Sequence, residues 1–107
     1  MNDLTIKELT SKVMQLAKEK KFHTKPSNVN VGEMLALVHS EVSEALEAYR
    51  HHNMEGEDGF YEELGDVVIR VVHLCGIFDI DIEKYIVAKM ERNQTRSWEN
   101  DKLLENI

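Results

Sequence analysis

Apolar positions recur every three or four residues along most of the chain, and this spacing predicts four helices. Between Leu4 and Lys21, the residues Ile6, Leu9, Val13, Leu16 and Ala17 fall on one face. Thr5 and Glu8 have the spacing of a capping box at its start. Phe22 to Asn30 contains the single proline, Pro26, and reads as a loop. A second helix starts after Asn30, with Glu33 placed as capping-box partner, and reaches about His52. Its apolar face is Met34, Leu35, Val38, Val42, Ala45, Leu46 and Tyr49. Residues 53–59 break the pattern and read as a turn.

The third helix spans about Phe60 to Phe78. Its run Val67-Val68-Ile69-Arg70-Val71-Val72 would suit a strand locally. The segment is too long for a typical strand, however, and polar residues interrupt it at helical spacing. Asp79 or Asp81 then caps a fourth helix through about Gln94, with Ile82, Tyr85, Ile86 and Met90 as its stripe. From Ser97 onward the chain is expected to be irregular or weakly helical. The fold class is therefore all-α.

Composition narrows the setting. A chain of 107 residues is one domain, residues 1–107. So small a domain buries a limited core and often gains stability by association. Five glycines and one proline leave the helices long and uninterrupted. The formal net charge of −7 argues against nucleic acid or an anionic membrane as main partner. It leaves room for an anionic small molecule bridged by a cation. The lone cysteine, Cys75, sits in an apolar run and is expected to be a reduced core residue. The N-terminus is polar and charged, and no apolar run approaches the ~20 residues of a membrane span. The expected location is cytoplasmic.

Two acidic pairs carry the chemistry. Glu41 and Glu44 are three apart on the second helix, and Glu63 and Asp66 are three apart on the third. That spacing puts both members of a pair on one helix face. A short turn joins the two helices, so they should lie antiparallel and bring four carboxylates together. Such a cluster needs a compensating charge, and a hard divalent cation with oxygen ligands supplies it. Glu41 lies among Val38, Val42 and Ala45, while Asp66 precedes Val67, Val68 and Ile69, so these acids border buried faces. Solvated surface acids are the plainer reading of the same pattern.

Asp66, Arg70 and His73 continue one polar stripe along the third helix. Arg70 is placed to anchor a carboxylate by a forked hydrogen bond. His73 reads as a satisfied core or interface histidine, with substrate contact as the other reading. Lys89, Asn93 and Arg96 form a second polar stripe, suited to triphosphate oxygens or, more simply, to a helix C-terminus.

Three stretches together resemble the MazG-like nucleotide pyrophosphohydrolases of the all-α NTP pyrophosphohydrolase superfamily. They are His39-Ser40-Glu41-Val42-Ser43-Glu44-Ala45-Leu46-Glu47-Ala48, Glu62-Glu63-Leu64-Gly65-Asp66-Val67-Val68 and Lys89-Met90-Glu91-Arg92-Asn93-Gln94-Thr95-Arg96. The resemblance covers roughly residues 30–96. It implies a four-helix unit assembling into a dimeric or tetrameric helical bundle. It implies that Glu41, Glu44, Glu63 and Asp66 bind magnesium, with manganese as a substitute, and that Lys89, Asn93 and Arg96 contact a nucleoside triphosphate. Arg70 joins them as a candidate substrate-binding residue. The implied reaction releases pyrophosphate and a nucleoside monophosphate by hydrolysis between the α- and β-phosphates, and the implied role is nucleotide-pool control. Glu41 or Glu44 would activate the water, and spacing does not choose between them.

Base contacts have no clear motif, and Phe22, His23, His39, Tyr61 and Trp98 are the candidates. A di-iron bundle is disfavoured because no Glu is followed by His three residues later. A non-catalytic helical dimerisation or nucleotide-binding module is the remaining alternative.

Overall fold

The structure, a computed structural model, describes residues 4–96. Among them it contains α1 (Ile6–Glu19), a short 3₁₀ turn (Pro26–Asn28), α2 (Val31–Arg50), α3 (Phe60–Ile77) and α4 (Ile82–Thr95), with no strand. The β-branched run of α3 is helical, as its polar interruptions required. The end of the chain expected to be irregular, from Ser97, lies outside the described residues.

Local chemistry sets the helix starts. Thr5 and Glu8 make the full capping box of α1. Asn30 accepts the backbone N–H of Glu33 at 3.0 Å, which caps α2. Asp81, rather than Asp79, caps α4 by accepting from the Lys84 N–H. Asp79 instead has φ 54.

That left-handed residue belongs to a pattern at the helix ends. α1, α2 and α3 each finish with a left-handed residue, Lys21, His52 and Asp79. In each case the next N–H returns to a carbonyl five residues back: Phe22 to Ala17, Asn53 to Ala48 and Ile80 to Cys75. This is the Schellman arrangement, in which a glycine is usual at the left-handed position. Three side-chain-bearing residues take that position here in place of glycine.

The α2–α3 connection is tightly bonded. Asn53 Oδ1 accepts from Gly56 N–H and its amide donates to the Glu57 carbonyl. Gly59 opens α3, where a Cβ would stand 2.8 Å from the carbonyl oxygens of both Met54 and Gly56. Beyond the turn, Tyr49 meets Phe60 edge to face with ring centroids 5.4 Å apart. Next along the pair come Glu44 and Glu63, then Glu41 and Arg70. Partners descend on α2 as they ascend on α3, so the helices are antiparallel.

α3 lies at the centre, with α2 and α1 packed on it, while α4 rests chiefly on α1. The buried apolar residues are Ala17, Ala45, Val72, Cys75 and Ile77, all small or medium in size. Gly76 lets α1 approach α3, since a Cβ there would collide with Met14. Cys75 is a free, buried thiol, as expected, and burial pushes its pKa up. The stripes of α2 and α4 remain largely uncovered: Tyr85 is 58% exposed and Met90 60%. None of the described helices is long and apolar enough to cross a membrane.

Candidate active site

The antiparallel register of α2 and α3 stacks their acidic turns against each other. Glu41, Glu44 and Glu63 each offer a carboxylate oxygen, and these oxygens lie within 4.8 Å of one another. The three differ in setting. Glu44 is exposed and Glu41 half-buried, whereas Glu63 is only 6% exposed. Glu63 Oε2 is buried with no hydrogen-bond partner. A buried carboxylate oxygen without a donor is costly and calls for an explanation, of which an ion is one.

Their protonation follows from these settings. Burial, reinforced by the negative charges of Glu44 and Asp66, pushes the Glu63 carboxyl up to about 7. The Arg70 guanidinium bonded to Glu41 holds that carboxyl below its ordinary range. Glu44 is raised, first because of its close approach to Glu41. A hard divalent cation would reverse the penalty at Glu63 and satisfy its free oxygen. The donor set, three carboxylates with one buried and unpaired, fits such a cation.

The fourth predicted acid, Asp66, stands apart from this trio. It acts on Glu63 through its charge and lines a neighbouring cavity. That cavity, about 610 Å³, lies between the end of α1, the following loop, α2 and α3. Val13, Leu16, Met34, Leu37 and Ile69 make its apolar wall, and Glu41, Asp66, Arg70 and His73 its polar side. The predicted stripe of α3 is thus the side of a cavity that begins at the carboxylates.

His73 Nε2 lies 2.8 Å from the His23 carbonyl oxygen. A carbonyl only accepts, so this nitrogen carries the hydrogen. The bond pins the loop after α1 to α3. Phe22 and His23 line the cavity, while His39 and Tyr61 do not, and Trp98 lies outside the described residues. Arg70 donates through Nε to Glu41 Oε1 at 2.8 Å, so it anchors a carboxylate as its position suggested, but through one bond and not the expected fork.

Lys89, Asn93 and Arg96 are placed differently. They belong to α4 and its C-terminal edge, none of them lines the cavity, and α4 packs chiefly on α1. None of them belongs to the carboxylate trio either. Sequence reasoning missed the α1 wall of the cavity. Val13 and Leu16 read as ordinary core positions, and only the left-handed turn at Lys21 reveals how the loop folds back beside them. It read Glu41 and Asp66 as bordering buried faces, and both are half-buried, but it did not single out Glu63, which is buried further. The signal was available, because Glu63 follows Phe60 by three and precedes Val67 by four, on the inward face of α3.

The MazG nucleotide pyrophosphohydrolase domain family matches residues 30–98, most of the chain. The protein belongs to this family, and an all-helical domain carrying a nucleotide pyrophosphohydrolase signature is the class that fold and match define together. The matched span contains both acidic pairs and the α4 stripe. No curated protein and no solved structure matches the chain significantly.

Proposed function

We propose that the protein hydrolyses a nucleoside triphosphate to a nucleoside monophosphate and pyrophosphate, using magnesium or manganese, and thereby controls a nucleotide pool. One observation carries the reading: three carboxylate oxygens within 4.8 Å, one of them on a buried and otherwise unpartnered side chain. Glu41, Glu44 and Glu63 would hold the cation, with Asp66 beside them. When bound, magnesium supplies charge neutralisation at phosphate and acidifies a water.

The chain's own residues divide the remaining work. Glu41 is engaged by Arg70 and stays ionised. Glu44 is exposed, has no such partner and has a raised affinity for protons. Glu44 therefore suits the role of orienting the water and taking its proton. Attack at the α-phosphorus forms the monophosphate, and the bond to the bridging oxygen breaks, so pyrophosphate leaves with that oxygen. The cavity takes base and sugar, because it starts at Glu41 and Asp66 and offers apolar walls to a flat ring.

Lys89, Asn93 and Arg96 would meet the triphosphate from α4 of a second subunit. The uncovered apolar positions Val42, Leu46, Leu64 and Val68 on α2 and α3, with Tyr85 and Met90 on α4, support assembly as a homo-oligomer. Net charge −7 keeps nucleic acid and membranes as improbable partners, and a cytoplasmic enzyme is the reading we adopt.

The test is a panel of ribo- and deoxyribonucleoside triphosphates with magnesium or chelator. Equal amounts of pyrophosphate and monophosphate, formed only with the metal, are expected. Orthophosphate as product, or no turnover of any nucleotide, would overturn the reading in favour of a nucleotide-binding or dimerisation module.

A further inference from the structure

We propose that Arg70 is a positioning residue that forms the cation site before the cation arrives, rather than a group reserved for substrate. The inference rests on the metal-centred reading above, but it is tested without turnover.

Glu41, Glu44 and Glu63 repel one another when ionised, and within α2 only a hydrogen bond shared with Glu44, which needs a proton, can hold Glu41 against this repulsion. Arg70 does so from α3. It lies seven residues after Glu63, two helical turns along the same face. Its Nε donates to Glu41 Oε1 at 2.8 Å. The Glu41 side chain is 12% exposed and that of Arg70 39%, so the bond is partly shielded from water. The contact is made at one point and not as a fork, which commits one oxygen of Glu41 to arginine. The carboxylate as a whole stays within reach of Glu44 and Glu63. Glu41 is thereby held in place beside Glu44 and Glu63.

The role has a sign that separates it from charge balance. A guanidinium beside a cation site repels the cation, so a purely electrostatic Arg70 weakens metal binding and its removal tightens it. A positioning Arg70 does the reverse. Removing the partner that orients a metal ligand typically weakens affinity about 10- to 100-fold. Lysine is a poor replacement, because its ammonium is a point charge on a flexible stem and has no Nε to reproduce this approach.

The experiment measures Mn²⁺ binding by the electron paramagnetic resonance signal of free ion, with circular dichroism as a check on folding. Wild type, Arg70→Met, Arg70→Lys, Glu41→Gln and the Glu41→Gln/Arg70→Met double variant are compared. Arg70→Met is expected to weaken Mn²⁺ binding about tenfold or more, although it removes a positive charge. Arg70→Lys should remain similarly weak. In the Glu41→Gln background, adding Arg70→Met should change affinity less than about twofold, since the residue acts through Glu41. Unchanged or tighter binding by Arg70→Met, or full recovery in Arg70→Lys, overturns the proposal. Should Arg70→Met fail to fold, the lysine variant carries the test alone. Failure of the wild type to bind Mn²⁺ removes the metal reading itself, and this inference with it.

Discussion

The α2–α3 hairpin and helix α4 are both amphipathic, yet they stand in opposite states. The hairpin is closed on itself by a bonded turn, an aromatic rung at Tyr49–Phe60 and the Arg70–Glu41 bond. It assembles the carboxylate trio without help. Helix α4 is well capped by Asp81, but most of its apolar stripe faces outward and it rests chiefly on α1. On the function proposed above, one chain would complete the cation-binding half of the site and leave the phosphate-binding half to assembly.

The largest effect is expected at the most buried carboxylate of the trio. Glu63→Gln should reduce magnesium-dependent turnover by about a thousandfold and leave the helices intact by circular dichroism. Activity within about tenfold of wild type in this variant would sink the assignment of the trio to a cation.

The same residue predicts a pH dependence. Without metal, the Glu63 carboxyl titrates at about 7, above its ordinary value. The folded state therefore binds its proton more tightly than the unfolded state does. Its stabilising contribution is present below the ordinary carboxyl pKa and is lost as pH rises through about 7. Glu44, also raised, acts in the same sense. Glu41 is depressed, so its contribution is present above its ordinary value and is lost only as pH falls through its folded pKa. Metal-free protein should thus melt at lower temperature near pH 8 than near pH 5.5, by about a few degrees. Glu63→Gln should flatten the difference, and magnesium should oppose it by binding the ionised form. A metal-free melting temperature that climbs over this interval would contradict the burial of an unpaired Glu63.

For α4 the decisive measurement is complementation. If Lys89 serves the carboxylates of another subunit, Glu44→Ala and Lys89→Ala proteins are each nearly inactive alone. Mixed under exchange, they form hetero-oligomers with some sites free of either defect. Recovery of about a quarter of wild-type activity is the expected scale for random dimers. No recovery, despite proven exchange, would return Lys89 to the carboxylates of its own chain. A companion change, Val68→Arg on the outward face of α3, should shift the protein towards monomer in light scattering.

What the sequence allowed one to read follows the same division. Helical spacing located all four helices, and Thr5, Asn30 and Asp81 marked three starts, because capping is local chemistry. The paired acids were legible because i, i+3 spacing and a short turn fix their meeting. Two things were not local. That Glu63 and not Asp66 completes the trio depends on how α3 rotates against α2. That α4 does not line the cavity depends on which helix it packs on, and an apolar stripe does not name its partner. The cavity was hidden for a related reason, since Leu16 and Met34 acquire meaning only when the loop after α1 folds back.

The smallest effect concerns the backbone of the hairpin. Gly65 lies within α3 between Glu63 and Asp66, and a Cβ placed there meets nothing within 4 Å. A glycine inside a helix costs about 0.5–1 kcal/mol relative to alanine, through the freedom it gives the unfolded chain. Gly65→Ala should therefore raise stability by that amount in denaturant titrations, with Mn²⁺ affinity unchanged. The open space belongs to a single chain, however, and Leu64 and Val68 beside it are exposed apolar residues. If a second copy seats closely on this face, the added methyl will meet it. Stability would then gain less at high protein concentration than at low, and light scattering would show weaker association. A uniform gain at all concentrations would place the subunit contact elsewhere on the hairpin or on α4.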